Sequence, residues 1–144
     1  NDISLSAVDF RDISVGGTAN WDLSNIPGGS GDCGGNTGIT FTPSTSCYFV
    51  HTNGACNWSD ASKWMASSGG TTYARVPLSQ DSAIFDENSF SQATTLATNV
   101  SRVGNVYSQT INQTVNPYGA GSVYQLFTHG DLDYSGFTTN NGQL

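Results

Sequence analysis

Three cysteines, Cys33, Cys47 and Cys56, are the most reactive side chains of this 144-residue chain, and their number is odd. At most one disulfide can form within the chain, which leaves one thiol over. Cys47 and Cys56 flank YFVHTNGA, which reads as a hairpin whose ends a disulfide would close. A Cys33–Cys47 bond is the alternative, and it would staple a glycine-rich segment to the β-rich domain. Zinc is not expected: there is no CxxC, and His51 and His129 stand apart and read as surface histidines.

The acids offer two further chemistries. Asp131-Leu-Asp133-Tyr-Ser135-Gly136 matches the first half of a calcium loop, in which alternate oxygens converge on a hard cation. Position twelve of that loop is Gly142 rather than Glu, so the bidentate ligand is missing. A strand with Leu132 and Tyr134 inward and Asp131 and Asp133 outward gives the same spacing without a metal. The expectation is therefore no cofactor, with calcium on Asp131, Asp133 and Ser135 as the alternative. Asp81, Asp86 and Asn88 form a second candidate oxygen cluster. Pairs drawn from Asp81, Asp86, Glu87, Asp131 and Asp133 could in principle hydrolyse a glycoside. Turn aspartates of β-proteins, however, usually bond their own backbone. GGSGD at 28–32 is no nucleophile elbow either, so no catalytic residue is expected.

Asn57-Trp-Ser59, Asn99-Val-Ser101 and Asn112-Gln-Thr114 are N-glycosylation sequons without an intervening proline. The many serines and threonines add hydroxyls for O-linked sugars. Ser, Thr, Asn and Gly together make up about 45% of the chain, and only 10% of residues are charged. Such a surface would be kept soluble by sugar more than by charge.

That composition excludes several classes. Four cations (Arg11, Lys63, Arg75 and Arg102) against eleven acids give a net charge of -7, the wrong sign for a nucleic-acid partner. No apolar run approaches the roughly 20 residues of a membrane span. Helix formers are scarce, whereas 36% hydrophobic and 11% aromatic residues suffice for a core. The chain opens on Asn1-Asp2 without a signal peptide, and reads as a mature or excerpted piece of an exported, extracellular protein.

The elements that position these residues are short strands. Residues 1–15 alternate apolar and polar positions, and Ile3, Leu5, Val8 and Phe10 are candidates for a strand that completes a neighbouring subunit. Residues 16–46 form a Gly-rich linker, with Trp21 expected to plug the end of the core. Residues 47–144 form a β-rich domain. Within it, NWSDASKW (57–64) is the one segment suited to a helical turn, capped by Asp60 or Ser59. Further strands are expected over 81–86, between Leu96 and Val115, over 123–127 and over 132–134. Short strands between Gly and Asn turns suit a β-sandwich or a short parallel β-solenoid.

Residues 55–90 resemble a tandem β-solenoid module of very large bacterial surface and secreted proteins of the autotransporter or adhesin type. The resemblance rests on Trp58, Trp64, Gly69-Gly70, Val76-Pro77, Asp81, Phe85-Asp86 and Asn88-Ser89-Phe90. GDCGGNTGITF (31–41) is similar to the segment that joins one such module to the next. The extra Cys56 in HTNGACNW departs from the pattern. The resemblance implies structural plugs and turns and supplies no catalytic residue.

The function expected from these readings is a non-enzymatic subunit of an extracellular filament or surface adhesin. It would self-associate through unpaired β edges and carry glycans, without nucleic-acid partner or membrane span. The alternatives are a carbohydrate-binding module stacking sugars on Trp21, Trp58, Trp64 or the tyrosines, and a phage tail-fibre or decoration protein.

Overall fold

The structure, a computed structural model, describes residues 4–18, 21–119 and 127–137. It is all-β, with short strands in small sheets. The strands are β1 (Val8–Phe10), β2 (Trp21–Asp22), β3 (Ser30–Asp32), β4 (Ile39–Thr40), β5 (Ser46–Phe49), β6 (Cys56–Asn57) and β7 (Trp64–Met65). They continue with β8 (Ser82–Phe85), β9 (Thr94–Thr98), β10 (Arg102–Val103), β11 (Asn105–Ser108), β12 (Val115–Gly119), β13 (Phe127–Thr128) and β14 (Leu132–Asp133). One 3-10 turn, Ala61–Lys63, interrupts them where the helical turn was expected, and Asp60 caps it by accepting the Ser62 amide. The strand expectation over 123–126, together with Ile3 and Gly142, lies outside the described residues.

Every pairing between these strands is parallel except β5 with β7. A parallel pair requires the chain to return to its starting end before pairing again. With no long helix to make that return, other strands and turns make it, and the chain winds back over itself. Ser46, Ser82 and Asn105 fall in one register, as do Cys47, Ala83 and Val106, with Leu132 beside Val106. A second wall aligns Cys56, Leu96 and Pro117 across β6, β9 and β12. Pro117 has no N–H to give a ladder, and it sits in β12, the outermost strand of that sheet.

The core lies between the two walls. Phe49, Trp58, Trp64 and Phe85 are fully buried there, with Phe90 and Phe137 nearly so. Phe49 meets Phe85 at 5.3 Å and the edge of Trp64 at 5.0 Å, and Phe85 lies parallel to Phe90. These aromatics bring the most apolar area per residue to a chain with few large aliphatics.

The Gly-rich segment expected to be a linker is instead laid against the rest of the chain. β3 pairs with β1 and β4 with β2. The far edge of β3 meets the side chain of Gln80: Nε2 donates to the Ser30 carbonyl (2.9 Å), and Oε1 accepts the Asp32 amide (2.9 Å). A backbone residue beside Gly31 in a parallel ladder would make the same two bonds. Gly31 leaves room for the Asp9 carboxylate and the Ser79 hydroxyl, which a Cβ there would push aside. Trp21, expected as a core plug, is 41% exposed on β2.

Candidate functional site

None of the three cysteines is bonded to another, which corrects both proposed pairings, Cys47–Cys56 and Cys33–Cys47. Cys47 occupies an inward position of the β5–β8–β11 wall, and Cys56 one of the β6–β9–β12 wall. Each therefore serves as a small apolar side chain on a different ladder. Burial pushes both thiols up to about 11, with the Asp81 charge adding to the effect at Cys47. Cys33 is buried as well and donates to Ser79 Oγ at 3.1 Å.

Asp81 is fully buried, and its carboxylate is consumed by structure. It accepts from the Thr45 amide (2.9 Å), the Leu78 amide (2.8 Å) and two nitrogens of Arg75. Asp86 accepts the Asn88 amide and the Ser89 hydroxyl in a tight turn, and Asn88 Nδ2 reaches Ser68 Oγ at 2.9 Å. The Asp81 and Asp86 carboxylates thus hold turns together, and Asn88 is engaged through its backbone amide and side-chain nitrogen.

The same chemistry explains Asp133. Its Oδ1 accepts the Ser135 amide at 2.8 Å, as Asp22 accepts from Ser24 and Asp60 from Ser62. All three carboxyls are held below their usual range, first by the serine hydroxyl and then by its amide. These D-x-S turns are local backbone devices. Among the described residues no group of three or more His, Cys, Asp and Glu could hold a metal ion. Asp131, Asp133 and Ser135 lie exposed along β14 and the turn after it. The segment is the expected strand, with Asp131 and Asp133 exposed and Tyr134 packed against the core, but Leu132, in register with the buried Val106, is 50% exposed.

Of the two histidines expected at the surface, His51 departs from that reading and His129 is half-buried. His51 is buried, with Nε2 2.7 Å from the Gly54 carbonyl and Nδ1 unpartnered. His129 lines a cleft of about 270 Å³ with Asp32, Cys33, Ser79, Gln80 and Asn105.

Trp58 and Trp64 cannot stack sugar, because both are completely buried and Trp64 Nε1 donates to the Trp58 carbonyl at 2.7 Å. An aromatic row absent from the sequence reading lies instead on the outer face of β5, β8 and β11. Tyr48, Ile84 and Tyr107 are in register there, and all three are half-buried. Beside them run Ser46, Ser82 and Asn105. Adjacent strands lie ~4.8 Å apart, so the two tyrosines are ~9.6 Å apart along the row. The row escapes a sequence reading because its members lie 36 and 23 positions apart, so no fixed period exposes it.

The sequon asparagines Asn57 and Asn112 are exposed, whereas Asn99 is half-buried. Of the candidate assembly residues, Val8 and Phe10 lie in β1, paired within the chain to Ser30 and Asp32, and Phe10 packs on Phe41 at 6.0 Å. Leu5 precedes the strand and is half-buried. β1 and β14 are each the outermost strand of their sheet among the described residues. Comparison of the chain with family models, with curated proteins and with solved structures finds no match.

Proposed function

We propose that this chain is a non-enzymatic structural subunit of an extracellular filament or surface adhesin, assembled through strand edges and bearing glycans. The reading takes the parallel ladders as turns of a short β-solenoid. Its main support is Leu132, which occupies the inward register of the β5–β8–β11–β14 wall yet is 50% exposed, because no described strand stacks beyond β14. Phe127 on β13, the outer strand of its own ladder, is 53% exposed. Unpaired edges backed by apolar side chains recruit further strands, and a head-to-tail contact of this kind propagates. The parallel register shared by β5, β8, β11 and β14 agrees with a structural role. So does the likeness of residues 55–90 to adhesin modules.

Sedimentation over a concentration series, with electron microscopy of the same samples, tests the proposal. Assembly that grows with concentration and is abolished by Leu132→Lys is the expected result. A monomer at every concentration overturns it.

A second reading, a carbohydrate-binding module, draws on the outward Tyr48–Ile84–Tyr107 row flanked by hydroxyl and amide side chains. Binding to an insoluble polysaccharide that is lost in Tyr48→Ala and Tyr107→Ala, with the fold retained, would establish it over the first.

A further inference from the structure

Two of the three sequons meet in the folded chain. The Trp58 amide donates to the Ala97 carbonyl at 2.9 Å, which carries the β6–β9 ladder on toward Ser59 and Asn99. There the Ser59 amide donates to Asn99 Oδ1 at 3.0 Å, and Asn99 Nδ2 donates to Ser59 Oγ at 2.7 Å. Ser59 supplies the hydroxyl that makes Asn57 an acceptor, and Asn99 Nδ2 is the atom to which sugar would be joined in the second sequon. One hydrogen bond therefore occupies the recognition hydroxyl of one sequon and the reacting nitrogen of the other. Asn112 lies apart, exposed in the irregular segment before β12, and its side chain makes no hydrogen bond among the described residues.

We propose that this Ser59–Asn99 clamp silences the sequons at Asn57 and Asn99 once the chain has folded, leaving Asn112 as the acceptor of the folded protein. The inference rests on the glycosylated-subunit reading above and states which site carries the sugar after folding. In the transfer, Asn Nδ2 attacks the anomeric carbon of a nucleotide-activated sugar. The bond from that carbon to the phosphate oxygen breaks, the nucleoside diphosphate leaves, and the amide gives up one proton. Asn99 must first break its bond to Ser59 to do this, and a glycan on its nitrogen would push apart the ends of β6 and β9. Asn57 has an outward side chain, but its partner hydroxyl already accepts a hydrogen bond.

The test treats the folded protein with a soluble asparagine glucosyltransferase and UDP-glucose, and maps the products by peptide mass spectrometry. Short synthetic peptides carrying each sequon serve as unclamped controls. Glucose should appear on Asn112 of the folded protein, with Asn57 and Asn99 each slower than in their peptides by about fivefold, as expected for a bond of ~1 kcal/mol that must open first. Ser59→Ala removes the Asn57 sequon and frees Asn99 Nδ2, and should speed Asn99 toward its peptide rate while the backbone amide bond to Oδ1 remains. Asn99→Ala should do the same for Asn57, so the inference does not depend on one variant folding. Modification of Asn57 and Asn99 at peptide rates in the folded wild-type protein overturns it. Sugar-free intact mass of the protein from its natural source overturns the glycosylated-subunit reading instead, whatever the in vitro pattern.

Discussion

Arg75 grips the buried carboxylate of Asp81 with two nitrogens, Nε on Oδ2 at 3.0 Å and a terminal nitrogen on Oδ1 at 2.7 Å. The same terminal nitrogen donates to the Pro43 carbonyl at 2.8 Å. This one pair ties the approach to β5, the turn at Leu78 and the start of β8, because Asp81 also holds the Thr45 and Leu78 amides. Removing one partner of such a buried pair strands the other and leaves the amides unpaired. Asp81→Ala should therefore cost about 3–5 kcal/mol, read as the shift of the urea unfolding curve. Asp81→Ala combined with Arg75→Met should recover part of that loss, whereas a strictly additive double variant would show that the pair does not act as a unit.

The two core tryptophans make a matched comparison. Trp64 Nε1 is bonded to the Trp58 carbonyl, while Trp58 Nε1 is buried without a partner among the described residues. Trp64→Phe loses volume and also a hydrogen bond, and should cost about 2–4 kcal/mol. Trp58→Phe loses similar volume but removes an unpaired donor, so it should cost about half as much. Denaturant unfolding of the two variants side by side checks the order, and equal or reversed losses would refute the assignment.

Alkali should weaken the fold by stages. In the folded chain burial raises Cys47 and Cys56 from 9.0 to about 11 and Tyr134 from 10.0 to about 12. Between those values the unfolded chain releases protons that the folded chain keeps, so stability falls as pH rises. The contribution is complete below about pH 9, where both states hold the protons, and is lost through about pH 11 and then pH 12. Melting temperatures from pH 7 upward should decline beyond pH 9, and less so in Cys47→Ala or Cys56→Ala. The same burial should keep these two thiols unlabelled by iodoacetamide at pH 8, with full labelling in urea.

Gln80 takes the place of a strand, so its chemistry should be exacting. Its Nε2 donates to both the Ser30 and Thr42 carbonyls, at 2.9 and 2.8 Å. Gln80→Glu would turn an acceptor toward two acceptors and should cost about 2–3 kcal/mol. Amide exchange should rise first at residues 8–10 and 30–32, which β1 and β3 provide. Uniform loosening of the whole chain would contradict a local bridging role.

Much of the architecture was legible in the residues. The strand expected over 81–86 forms as Ser82–Phe85, and its Ala83 and Phe85 are buried. Asp60 was a candidate cap before a short helical run, and it caps a 3-10 turn. The disulfide reading failed because an odd cysteine count says nothing about which wall each thiol faces. The linker reading failed at Ser30–Asp32, where glycine gave way to a strand bonded by a glutamine nearly 50 positions downstream.

Sequence alone thus determined the material: short strands, aromatic plugs, turn aspartates that bond the serine two places on, and three sequons. Those features are local, set by side-chain volume, period-two alternation and the reach of one side chain to its own backbone. Only the tertiary structure decided which strands stack, and the parallel pairings span unequal lengths of chain that no period encodes. It set Tyr48 beside Ile84 and Tyr107, buried two of the three candidate sugar-binding tryptophans, and brought Ser59 of one sequon onto Asn99 of another, 40 residues away. Contacts across such distances depend on register, and register is chosen by how the whole core packs.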